Sequence, residues 1–180
     1  MRIRFFLLAG AVLVSSVGAA DAPRTTMQQM QGVYKTRFPN GTIDGRERWI
    51  SEDIVEIVPM DPSHIYFRAE LAFANGHRCG VSGAATYQQG GFVYRDPEYN
   101  TAFQQRCVLQ LRLTGTDLVL NDADPQSGHS TCQQYCGMRG SLRDYRIARS
   151  KRRTIRYLPR LMASPQYQQA LQQIAGPTLP

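Results

Sequence analysis

The chain is predicted to be all-β, an antiparallel meander closed into a small barrel or sandwich with a short C-terminal helix, and three features of the sequence predict it. Short runs alternate apolar and polar residues with period two, which sends successive side chains to opposite faces of a strand. Pairs such as Asn40-Gly41, Asn75-Gly76 and Gly90-Gly91 lie between these runs, and they suit hairpin turns that need positive φ. The last stretch changes to helical spacing.

Taken in order, the chain divides into an export signal over residues 1–20, a β-barrel-like domain over 21–147, a basic connector over 148–163 and a helix over 164–176. Arg2 and Arg4 form a charged start, Phe5 to Val14 an apolar run, and Val17-Gly18-Ala19-Ala20 a small-residue cleavage site. The apolar run is shorter than the ~20 residues of a membrane-spanning helix. A soluble chain in the periplasm or outside the cell is expected. About 160 residues then remain, enough for one domain with a real core.

Met27, Met30 and Val33 suit a short helical turn at the entrance. Strands follow at Gly32 to Phe38, Arg46 to Ile50, Ile54 to Val58, His64 to Phe73, Arg78 to Tyr87, Phe92 to Arg95, Cys107 to Leu113, Leu118 to Asn121 and Met138 to Ile147. Two of them decide the class. Ile65, Phe67, Ala69, Leu71 and Phe73 point one way while His64, Tyr66, Arg68 and Glu70 point the other. Cys107, Leu109, Leu111 and Leu113 likewise face in, with Val108, Gln110 and Arg112 out. At the C-terminal end Ser164 is a helix N-cap with Pro165 following it. Tyr167, Ala170, Leu171 and Ile174 form the apolar stripe, and Gly176-Pro177 ends it.

In a meander the alternating strand directions bring Cys79, Cys107, Cys132 and Cys136 to one rim. Clustering excludes none of the three connectivities. The pairing favoured at this point is Cys79 with Cys107 and Cys132 with Cys136. His77 and His129 lie near Cys79 and Cys132, so a zinc site is the competing arrangement, but oxidation prevails in an exported chain. The same reasoning disfavours a Cys79–His77 nucleophile.

No Gly-x-Ser-x-Gly, His-Glu-x-x-His or phosphate-cradling glycine loop occurs, no catalytic residue is assigned, and neither metal nor cofactor is called for. Glu52-Asp53 offers two carboxylates, but adjacent strand residues face opposite ways, which disfavours a catalytic pair, and a turn is the plainer role. His64 and Glu70 stand roughly 20 Å apart at about 3.3 Å per residue and read as solvated surface. Tyr34, Phe38, Trp49 and Tyr94 read as barrel core ahead of a ligand cavity. Asn40-Gly41-Thr42 fits both an N-glycosylation acceptor and a hairpin turn.

The run Cys132-Gln133-Gln134-Tyr135-Cys136-Gly137-Met138-Arg139-Gly140-Ser141-Leu142 resembles the Cys-Gly-x-x-Gly entry into a last strand of small exported bacterial β proteins, mostly of unknown function. Some of these are related to periplasmic lysozyme inhibitors. Gly32-Val33-Tyr34 is similar to the first strand of lipocalin-like barrels. The resemblance implies an exported barrel that inhibits a cell-wall hydrolase such as lysozyme, or a carrier of a small molecule. Lysozymes are usually basic, so an inhibitor should present acid.

Charge is unevenly placed. Residues 21–138 carry 10 basic and 13 acidic side chains, whereas 139–160 carry nine basic ones against Asp144 alone. Arg149, Lys151, Arg152, Arg153, Arg156 and Arg160 are the candidate anion-binding residues, with Ile155, Tyr157 and Leu158 interleaved. Near an anionic membrane each basic residue contributes about 1 kcal/mol, and arginine matches phosphate bidentately. The expected partner is therefore an anionic envelope component, lipid phosphate or cell-wall polymer, met through peripheral membrane contact, or else a protein. Nucleic acid fits the charge but not the compartment. The sequence thus points to a non-enzymatic binding protein that acts through its surface, with a solvated connector as the plainer role of the same segment.

Overall fold

The computed structural model describes residues 21–176, and the proposed export signal lies outside the described residues. The chain forms α1 (Asp21–Met30), β1 (Gly32–Gly41), β2 (Arg48–Pro59), β3 (His64–Ala72), β4 (Arg78–Gln88), β5 (Gly91–Arg95), β6 (Val108–Leu113), β7 (Asp117–Asn121), β8 (Tyr145–Ala148), β9 (Arg152–Arg153), α2 (Leu158–Met162) and α3 (Pro165–Ala175). All strand pairs are antiparallel, in the spatial order β8-β7-β6-β5-β4-β3-β2-β1-β9.

Chain connectivity explains why this sheet curls. Its two edges are β8 and β9, yet only the 3₁₀ turn Arg149–Lys151 separates them in sequence. Laid flat, the outer strands of nine would stand about 38 Å apart. A link of that length reaches about 14 Å. The edges must therefore meet, giving a nearly closed, barrel-like sheet in which β1 also touches β8.

Register places the core inside this curl. Tyr34 opposes Val55, Ile57 opposes Phe67, Leu71 opposes Cys79, Ala85 opposes Tyr94, and Phe92 opposes Leu111. All belong to one buried cluster. Met27 and Met30 of α1 join that cluster at the end where β1 begins, while Cys132 and Leu142 join it at the opposite end, from the long 122–144 loop. A second cluster lies on the outer face, where Val58 and Tyr66 pack beneath Leu161, Tyr167 and Ala170. α3 follows its predicted form: the Ser164 hydroxyl accepts the Tyr167 N–H at 3.3 Å, with Pro165 in the first turn and Gly176 at the C-cap.

Several boundaries differ from those read in the sequence. The stretches Arg46 to Ile50 and Ile54 to Val58 are one strand, β2, and Glu52-Asp53 is not a turn but its middle. Asp53 points inward, where it accepts the Ala72 N–H at 2.7 Å and the Tyr145 hydroxyl. Those two partners, distant in sequence, let a carboxylate stand where an apolar residue was expected. Met138 to Ile147 shortens to the four residues of β8. Nine strands nevertheless form, because the basic segment supplies β9. Asn75 (φ 58°) and Gly76 (φ 72°) turn as expected. Gly41 does not; it ends β1, where a Cβ would lie 2.3 Å from the Glu47 carbonyl oxygen, so close approach rather than positive φ requires glycine there.

The disulfides are Cys79–Cys136 and Cys107–Cys132, not Cys79–Cys107 and Cys132–Cys136. Cys79 is the second residue of β4 and Cys107 precedes β6, with β5 between them, so about 10 Å separates the two positions. A disulfide spans Cα atoms only up to about 7 Å apart. Each cysteine instead reaches the loop folded over the rim, with Cα–Cα distances of 4.0 and 4.4 Å.

Candidate functional site at the basic end

The first end of the barrel gathers the basic segment. β8 and β9 both run toward the α1 end, the 3₁₀ turn between them steps across the seam of the sheet, and β9 pairs antiparallel with the start of β1, Val33 opposite Arg153 and Tyr34 opposite Arg152. Gly32 makes this docking possible. Its φ is +137°, and a Cβ there would lie 2.8 Å from the Arg153 carbonyl oxygen and 3.0 Å from Cγ of Arg152.

The six candidate residues fall into different roles. Arg152 donates Nη1 to the carbonyls of Gln28, at 3.4 Å, and Gln29, closing the C-terminus of α1, where a cation complements the helix dipole. Arg149 is half-buried and donates to the carbonyls of Thr114 and Gly115 at 3.5 and 3.4 Å, latching the turn between β6 and β7. Among the described residues the Arg153 side chain bonds within its own segment, to the carbonyls of Ser150 and Arg152 at 2.9 and 2.8 Å. Arg160 lies 5.5 Å from the centroid of the Tyr157 ring. Lys151 and Arg156 are exposed. Among the described residues none of the six forms an ion pair with a carboxylate. The segment read as a solvated connector therefore holds a strand and a helix, and part of its charge is committed to the fold.

Tyr157 fastens the segment down. Its hydroxyl donates to Glu56, a fully buried carboxylate on the outer face of β2, and the Arg68 guanidinium stands 2.7 Å from the other oxygen of Glu56. Burial first, then the hydrogen bond to Glu56, pushes the Tyr157 phenol well above the usual tyrosine range. Lys35 lies 6.0 Å above the same ring. Sequence reading missed this group. Its only local signal was Glu56 standing between Val55 and Ile57 in an otherwise apolar run, with the cross-strand partner Arg68 visible only once the register is known.

Beside the segment opens a cleft of about 560 Å³. Its lining is mixed: Gln28, Gln31, Arg152, Arg153 and Thr154 are polar, and Val58, Pro59, Ile155 and Leu158 are apolar, while Ile57 borders it with a side chain that belongs to the barrel core. No carboxylate is among these lining residues.

The remaining candidates sit elsewhere. All four cysteines are oxidised, which removes them as zinc ligands and removes Cys79 as a nucleophile beside His77. His77 instead packs against Gly137, where a Cβ would lie 2.7 Å from its Nδ1. His64 Nδ1 is 2.7 Å from Asp61, and Glu70 is exposed on the outer face of β3. Asn40 donates its amide to the Ser51 hydroxyl at 2.9 Å and the Phe73 carbonyl at 3.0 Å, a bracing role for the residue read as a glycan acceptor. Tyr34 and Tyr94 are core, whereas Phe38 and Trp49 are only half-buried at the far rim. Comparison with protein-family models, curated proteins and solved structures found no match to this chain.

Proposed function

We propose that the protein is an exported, non-enzymatic binding protein of the cell envelope that engages phosphate-bearing anionic surfaces through the basic end of its barrel. The observation that carries this reading is the concentration of six cations in one segment that runs from the α1 rim onto the outer face, none in an ion pair with a described carboxylate, with Lys151 and Arg156 turned to solvent. Unbalanced surface charge of this kind attracts anions across a Debye length, about 8 Å at physiological salt. Two disulfides suit an oxidising compartment, and among the described residues no helix is long and apolar enough to cross a membrane. The crowded interior, where the Tyr94 ring lies over Gly83, supports surface binding over carriage inside the barrel.

Co-sedimentation tests the reading. Residues 21–180 should pellet with phosphatidylglycerol vesicles or with phosphate-rich cell-wall polymer at low salt, and not with phosphatidylcholine vesicles. Failure to bind either anionic surface would remove it. The second reading, a protein partner such as a cell-wall hydrolase, draws on the opposite end of the molecule, where Ile43, Tyr99, Phe103 and Met138 are exposed on loops.

A further inference from the structure

The cleft beside the basic segment combines two chemistries that a flat anionic surface would not need. Its lining mixes the polar and basic residues Gln28, Gln31, Arg152 and Arg153 with the apolar Val58, Pro59, Ile155 and Leu158. A guanidinium has five N–H donors. The hydrogen bonds within the protein use Nη1 of each arginine, leaving donors for an outside acceptor. With no carboxylate in the lining, those donors face no competing anion among the described residues.

We infer that this cleft binds one phosphate-headed lipid taken from the anionic membrane face, its headgroup on Arg152 and Arg153 and the first part of its acyl chain along Ile155 and Leu158. The inference rests on the envelope-binding reading and goes beyond it by naming the ligand. A bare phosphate would leave the apolar part of the lining wet, whereas an uncharged lipid would leave the guanidinium groups without an acceptor. A nucleotide would find no aromatic ring among the lining residues on which to stack its base. At about 560 Å³ the space lies within the ~300–1,000 Å³ usual for small-ligand sites, so it takes one ligand rather than a patch of bilayer.

Gly32 and Thr154 give the site its shape. The glycine lets the Arg152 stem lie against the backbone of β1, fixing where that guanidinium can reach. Thr154 lines the cleft but is itself exposed, so a larger side chain there can fill the space without entering the core.

Calorimetry with monomeric dodecyl phosphate, dodecyl maltoside and inorganic phosphate tests the inference on residues 21–180. Dodecyl phosphate should bind one to one, with the other two weaker by at least about tenfold. Thr154→Trp and Arg153→Gln should each weaken dodecyl phosphate by about tenfold or more while melting like the parent. Arg139→Gln, on the exposed loop at the opposite end of the barrel, should leave it unchanged. Phosphate binding as tightly as dodecyl phosphate, or Thr154→Trp binding as the parent does, would overturn the inference. If phosphatidylglycerol vesicles bind and dodecyl phosphate does not, the cleft inference falls while the surface reading stands. If dodecyl phosphate binds and vesicles do not, the cleft is a lipid site and the surface reading falls. Binding of neither removes both.

Discussion

Replacing Gly83 by alanine probes how tightly the barrel interior is filled. A Cβ at this position would lie 2.4 Å from Cε2 and 2.9 Å from Cδ2 of the Tyr94 ring, well inside the ~3.5–4.0 Å of favourable carbon contact. The ring has little room to retreat: it is 2% exposed, and Phe67 meets it edge-on at 5.3 Å. Two effects then compete. Gly83 is not in a left-handed conformation, so alanine would stabilise by ~0.4–1 kcal/mol through the unfolded chain. Overpacking a filled core costs ~1–3 kcal/mol. Sterics win, and Gly83→Ala should lose about 1–2 kcal/mol in urea denaturation followed by circular dichroism. Tyr94→Leu makes room for the methyl group, so the double variant should lose less than the two single losses combined, with a coupling of about 1 kcal/mol. A neutral or stabilising Gly83→Ala, or strict additivity with Tyr94→Leu, would show slack in the interior and reopen the carrier alternative.

Three further outcomes follow from the geometry. Serine in place of Cys79 and Cys136 should cost about 4 kcal/mol and in place of Cys107 and Cys132 about 3.5 kcal/mol, from sequence separations of 57 and 25 residues; equal losses near zero in urea melts would contradict the cap formed by the 122–144 loop. Arg152→Gln should destabilise by about 1–2 kcal/mol through the uncapped α1, while Lys151→Gln and Arg156→Gln stay within about 0.5 kcal/mol; thermal melts that rank them otherwise would refute the division of roles. Burial, and then the hydrogen bond to Asp96, pushes the Tyr135 phenol up to about 12. A raised folded-state value means full stability below the ordinary tyrosine value near 10, lost as pH rises toward 12. Alkaline denaturation should therefore steepen over that range, and Tyr135→Phe should flatten part of it.

Strand alternation and a meander order were legible in the sequence because both are local properties. Ile65, Phe67, Ala69 and Leu71 face the core as their spacing required, and Ser164-Pro165 starts α3 where its capping chemistry placed it. Misreadings arose where a residue's partner is distant. Glu52-Asp53 looked like a turn because Tyr145, 92 residues on from Asp53, cannot be paired with it by spacing. The cysteine pairing went wrong although strand order alone forbids a bridge across β5. In the basic segment, charge was plain from composition. Which arginines the fold uses, Arg152 on α1 and Arg149 on the β6–β7 turn, depends on carbonyls 123 and 34 residues away in the chain, beyond the reach of local pattern.

The most direct test of the central claim is the salt dependence of binding to phosphatidylglycerol vesicles, measured for the parent and for Lys151→Gln with Arg156→Gln. The parent should bind at low salt and lose affinity steeply as the Debye length falls from about 10 Å at 0.1 M to about 3 Å at 1 M. At about 1 kcal/mol for each exposed cation, the double variant should bind about 30-fold more weakly at low salt while keeping the parent's melting temperature. Binding that is equal for both proteins, or indifferent to salt, or as strong to phosphatidylcholine, would contradict the account.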